Sequence, residues 1–179
     1  MKQRLICFAF TGLLAACSPV PPKSAPSASP SSTVKSHGPW LHITGHGTAR
    51  QPVRIVEQQG NRKQYDLLAS SYVSNGAQGS AVATFSNVHV TFFGRNGTTL
   101  IASAPRAIVD ETENTVTLTD RVHARTNSGM TLVCDWLRYD RVTEMVHGEG
   151  NVVITDRRGM RATGNAVDSD ISLTRTRMQ

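Results

Sequence analysis

Disulfide chemistry is all but missing from this 179-residue chain, which holds three cysteines, two of them (Cys7 and Cys17) within the first seventeen residues. Cys134 stands alone in the remainder, so no internal disulfide can brace a fold and stability must come from hydrophobic burial. Aromatic residues make up 6% and charged residues 18% of the chain. That composition gives a light, aliphatic interior and excludes both a disordered and an all-membrane chain. No acidic residue precedes Glu57. No run of apolar residues follows the i, i+3, i+4, i+7 spacing of an amphipathic helix. A Ser-centred nucleophile elbow, an HExxH pair and a phosphate-cradling glycine loop are all missing, so an enzyme is not expected.

What is present begins with a targeting segment. Lys2 and Arg4 precede an apolar stretch from Leu5 to Leu14, too short for a permanent transmembrane helix. Leu14-Ala15-Ala16-Cys17 resembles the bacterial lipobox. The resemblance implies cleavage before Cys17, a diacylglyceryl group on its thiol and acylation of the new amino terminus. Residues 1–16 are thus expected to be a lipoprotein signal peptide. Two or three acyl chains, at about 0.8 kcal/mol per buried CH₂, make a membrane anchor of lasting strength. Residues 17–38 are expected to be the lipidated cysteine and a disordered linker, since positions 18–36 hold five prolines and seven serines with little to bury. Loss of Lys2 and Arg4 takes the basic residues from 19 to 17 against 13 acids, a balance of +4. Fourteen of those seventeen are arginine, the side chain best shaped for carboxylate or phosphate. No nucleic-acid-binding motif accompanies them.

Residues 39–179 read as one β domain. Apolar residues alternate with polar ones over short runs: Val88, Val90 and Phe92, then Val116, Leu118 and Val122. Met130, Leu132 and Cys134 follow, then Val152 and Ile154, Met160 and Ala162, and Ile171 and Leu173. Glycine turns bound these runs at Gly97, Gly129 and Gly159. One dry face and one wet face is the signature of antiparallel sheets. A repeat underlies the pattern, with Asp110, Asp140 and Asp170 spaced 30 and 30 residues apart and the three glycines 32 and 30. Each unit reads as strand, Gly turn, strand, Asp turn, and stacked hairpins of this kind bury their apolar faces on one another. An earlier copy starts at Val53 with Gly60 as its turn. The three aspartates are read as turn caps, their side chains bonding the local backbone.

Three segments carry a family resemblance: Ala104-Pro105-Arg106-Ala107, Asp135-Trp136-Leu137-Arg138-Tyr139-Asp140 and Gly150-Asn151-Val152-Val153-Ile154. The stretch from 87 to 173 resembles the LptC, LptA and OstA-like lipopolysaccharide-transport proteins. Tyr65 to Tyr72 resembles the early strand of LptC-like domains. The resemblance implies an open antiparallel β-jelly roll whose groove receives lipid A acyl chains of lipopolysaccharide and passes them to an LptA-like jelly roll joined edge to edge. An LptBFG-type ABC transporter is a further implied partner. A lipid-anchored, periplasm-facing protein fits this, in either the inner or the outer membrane. The candidate groove residues are Val88, Val90, Phe92, Val116, Leu118, Val122, Leu132, Cys134, Val152, Ile154, Met160, Ile171 and Leu173. The same residues would serve equally well to fill an ordinary core, and both readings stay open at this point.

No cofactor is expected. His89 and His123 occupy equivalent places on the wet face of successive units, but no cysteine or carboxylate completes a metal shell around them. His42 and His46 read as part of a loop. The competing reading is a scaffolding β-repeat lipoprotein without lipid transfer.

Overall fold

The computed structural model describes residues 41–77 and 80–179. Cys17, the signal segment 1–16 and the linker 17–38 lie outside the described residues. Thirteen strands form one continuous antiparallel network. In chain order they are Leu41–His46 (β1), Val53–Gln59 (β2), Arg62–Ala69 (β3), Ser71–Gly76 (β4) and Val82–Phe93 (β5). Thr99–Asp110 (β6), Thr115–Thr119 (β7), Val122–Thr126 (β8) and Thr131–Cys134 (β9) follow. Trp136–Asp140 (β10), Met145–Thr155 (β11), Arg161–Asp170 (β12) and Thr176–Met178 (β13) complete the series. The all-β, jelly-roll class expected from the sequence is the class observed.

The pairing splits into two layers. One runs β1-β4-β5-β6-β7-β10-β11-β12-β13, and the other joins β2, β3, β5, β6, β8, β9, β11 and β12. Strands β5, β6, β11 and β12 belong to both. The first half of β5 pairs with β4 and its second half with β3. Likewise β6 pairs with β7 through residues 106–110 and with β8 through residues 100–103. The pairs β3/β4, β7/β8 and β9/β10 are single arms broken at the same level. Each arm therefore crosses from one layer to the other through a bend.

The bends have local chemical causes. Asn87 and Asn151 both adopt left-handed backbone, with φ of 50° and 51°. Each donates through Nδ2 to the bend of a neighbouring arm, Asn87 to Ser70 Oγ at 3.1 Å and Asn151 to Asp135 Oδ2 at 2.8 Å. Asp120 and Arg121 are left-handed as well, and Arg121 N donates to Asp135 O at 3.0 Å. Asparagine and aspartate are the L-residues that tolerate this region best. The Gly150-Asn151-Val152 segment, part of the family resemblance, is such a bend inside β11.

The turns behave as the repeat predicts. Asp110 Oδ1 accepts from the amides of Thr112 and Glu113 at 2.8 and 3.0 Å. Asp140 Oδ1 does the same for Val142 and Thr143, both at 2.8 Å, and Asp170 for Thr174 and Arg175. Two readings need correction. His42 and His46 lie in β1, paired along its length with β4, where exposure on both faces had hidden the strand from a pattern search. Ile171 and Leu173, read as an alternating run, lie in the turn that follows Asp170, and the last strand begins only at Thr176.

Candidate functional site

The apolar faces of the two layers meet in a seam, and most of the candidate groove residues point into it. Val88, Val90, Phe92, Val116, Leu118, Val122, Leu132, Cys134 and Val152 are at most 1% exposed. Ile154, Ile171 and Leu173 are buried too. Over this stretch the seam is filled by its own side chains. Phe92 of one layer meets Tyr139 of the other with ring centroids 4.4 Å apart, and Tyr65 stands edge-on to Phe92 at 6.4 Å. Burial pushes the Cys134 thiol up to about 12, which leaves it protonated and unreactive.

Met160 is the exception. It is 68% exposed, because its amide is held in the Asp156 turn by Asp156 Oδ1 at 2.8 Å and pairing with β11 starts only at Arg161. Its neighbour Ala162 is exposed as well. Met160 leaves the groove set.

The open part of the seam lies at its β2–β4 end. A cavity of about 160 Å³ is lined by Ile55 and Tyr65 from one layer and Tyr72, Ala83, Phe85 and Val109 from the other, with Glu57, Glu111 and Arg141 as polar lining. Its volume matches that of dry cavities known to take up benzene, about 150 Å³. Tyr72 stacks on Phe85 with centroids 5.9 Å apart. None of the sequence candidates lines this cavity. The alternation of Ala83 and Phe85 carried the signal, but it falls out of phase with Val88 at the Asn87 bend.

Charged side chains hold the layers together on the side away from the bends. Arg62 of β3 donates to Glu144 Oε1 at 2.5 Å, and Arg95, in the turn after β5, donates to the same oxygen at 3.0 Å. Glu144 belongs to the opposite layer, in the turn between β10 and β11, and takes a left-handed φ of 59° to reach them. Beside them Arg141 reaches Glu57 at 3.5 Å, and Gln64 donates to Arg141 O at 3.2 Å. Three polar atoms here are buried without a partner among the described residues: Arg62 Nη1, Arg141 Nε and the Tyr139 hydroxyl. Burial raises both the Tyr65 and Tyr139 phenols to about 12, so each keeps its proton.

The outer faces carry separate chemistry. His89 and His123 flank Ser103 across β5, β6 and β8, as the repeat predicts. His147 places one ring nitrogen 2.5 Å from Asp168 Oδ1 and the other 3.1 Å from Glu149 Oε1. Burial pulls its pKa down, but the two carboxylates outweigh burial and raise it above the ordinary imidazole value.

Residues 30–178 match the LptC family, described as lipopolysaccharide-assembly, LptC-related. No curated protein matches the chain.

Proposed function

We propose that this chain, which belongs to the LptC family and so faces the periplasm as part of lipopolysaccharide transport, takes lipid acyl chains into the seam between its two layers. The cavity lined by Tyr72, Phe85 and Val109 is the observation that carries this reading. It lies between the layers, with aromatic and aliphatic side chains on both walls and Glu57, Glu111 and Arg141 as its polar part. An acyl chain would enter there and extend by displacing weakly specific aliphatic contacts. Aliphatic side chains re-pack at low cost when volume is conserved.

Hand-over to an LptA-like partner would proceed by strand addition at an open edge. An unpaired edge presents free N–H and C=O groups that a neighbour's strand satisfies. Strand β13 is the terminal strand of its layer, and β12 and β13 together offer that edge. Anchoring through Cys17 and docking on an LptBFG-type transporter belong to the same proposal. One observation favours the alternative, a scaffold without lipid transfer: the seam is closed by Phe92 and Tyr139 over its central stretch.

Photo-crosslinking in cells decides between them. A crosslinkable residue at Val109, Leu118, Leu132 or Ile154 is expected to capture lipopolysaccharide, and one at the outward Thr117 or Val153 to capture little. Equal capture at inward and outward positions would remove the groove, and no capture at any position would favour the scaffold.

A further inference from the structure

We propose that the side of the seam away from the bends binds a phosphate monoester, with Arg62, Arg95 and Tyr139 as donors and Glu144 as the resident acceptor that the phosphate replaces. The proposal rests on the lipid-binding reading only for the source of the phosphate, a lipid headgroup. The two guanidinium donors stand on geometry alone.

Donors outnumber acceptors in this cluster. Arg62 Nη2 and Arg95 Nε converge on a single oxygen, Glu144 Oε1. Arg62 Nη1 remains buried and unpartnered, and so does the hydroxyl of Tyr139, a residue 0% exposed. Glu144 and Arg62 are among the charges that act on that hydroxyl. A buried donor without a partner carries its desolvation cost uncompensated. One carboxylate cannot satisfy two guanidinium forks and a phenol. A phosphate monoester brings three oxygens and up to two charges, and guanidinium forks match it in bidentate fashion.

Access and placement fit the same ligand. An opening of about 300 Å³ reaches the cluster at Arg95 and Glu144, with Thr98, Thr143, Ser172 and Arg175 around it, while Arg62 and Tyr139 do not line it and are reached once Glu144 is displaced. That is the lower end of the range for small-molecule sites, about 300–1,000 Å³. Asp170 also lines it, but its carboxylate is occupied by Ser172 Oγ and the amides of Thr174 and Arg175. Glu144 holds its position at a cost, since a left-handed φ is unfavourable for an L-residue other than asparagine or aspartate. A carboxylate held by strain between two arginines is a ligand that a better anion can displace. Displacement would also release the contact between the layers, so the headgroup would unfasten the seam that its acyl chains enter.

The test is equilibrium binding by the full chain to inorganic phosphate, to vesicles carrying lipid A, and to vesicles carrying lipid A stripped of its phosphates. A fluorescent fatty acid reports the apolar cavity separately. Glu144→Gln is expected to tighten phosphate and lipid A binding about tenfold by removing the competing charge. Arg62→Gln with Arg95→Gln is expected to weaken both by at least about tenfold. Tyr139→Phe is expected to weaken them severalfold without lowering Tm, because its hydroxyl has no partner to lose. Fatty acid uptake should rise in Glu144→Gln, because loss of the clasp eases entry between the layers, and an unchanged uptake would overturn the coupling of headgroup to seam. Equal affinity for lipid A and its phosphate-free form would overturn the site while leaving acyl binding intact. Arginine-dependent lipid A binding without fatty acid uptake would support the site and overturn the groove. Binding of inorganic phosphate alone would overturn the headgroup assignment.

Discussion

A Cβ added to Gly150 would fall 2.3 Å from Asp135 Oδ2, and the φ of Gly150, 76°, lies in the region that L side chains avoid. Both costs act at once, because the Asp135 carboxylate cannot retreat without abandoning the Asn151 amide it accepts from at 2.8 Å. Gly150→Ala is expected to destabilise by about 2–3 kcal/mol, the sum of left-handed strain and a lost polar contact. Asn151→Ala should cost less, about 1–2 kcal/mol, since its contact is lost but no clash arises. Urea unfolding measures both, and an equal, small loss for the two would mean that Asp135 has room to move. This pair of residues shows what a short family motif encodes physically. The glycine permits the close approach and the asparagine locks it.

At the scale of elements, the turns were legible in the sequence and the bends were not. Asp110, Asp140 and Asp170 announce themselves, because a capping carboxylate needs a fixed spacing to the amides it accepts from. The bends carry no common residue type, being Ser70, Asn87, Pro105, Asp120 with Arg121, Asp135, and Gly150 with Asn151. What they share is a slip of phase. Ala83 and Phe85 face inward before one bend, and Val88, Val90 and Phe92 face inward after it. In the next arm Leu100, Ala102 and Ala104 give way to Ala107 and Val109. A search for strict alternation reads each half correctly and loses the join, and that is why the cavity at Phe85 and Val109 escaped. Met160 failed differently, as a turn residue that happened to continue the alternation.

The same scale governs partner pairing. Reciprocal bonds between Ala166 and Gln179, at 3.2 and 3.0 Å, fix the register of β12 with β13. Alternation in an antiparallel ladder then turns the amides of Thr176 and Met178 outward. Thr176→Pro and Met178→Pro remove those donors and are expected to weaken association with a partner jelly roll at least about tenfold. Undiminished pull-down by both variants would place the docking edge elsewhere, with β1 and its exposed Leu41 and Ile43 as the remaining edge of that layer.

For the described molecule taken together, the two sides of the seam are secured by different means. On one side the arms run through as continuous backbone. On the other, the pairs Arg62–Glu144, Arg95–Glu144 and Arg141–Glu57 span the layers. Among the ion pairs named, those that span the layers lie on the second side, and salt screens them as the Debye length falls from about 30 Å at 0.01 M to about 3 Å at 1 M. The exposed Arg106–Asp120 pair at the bends lies within one layer's arms. Hydrogen exchange is expected to quicken severalfold in the 141–144 turn on going from low to high salt, with the amides around Asn87 and Asn151 unchanged. Uniform protection across that range would show that packing of Phe92 on Tyr139, and not charge, keeps the layers joined.

A cylinder of strands surrenders its contents only through its ends, whereas a folded leaf can also be parted along its free margin. Here the crease is peptide chain and the margin is a row of side-chain clasps. The molecule thus has one border that is permanent and one that is negotiable, and a bulky amphiphile could be laid in sideways, tails first, without being threaded.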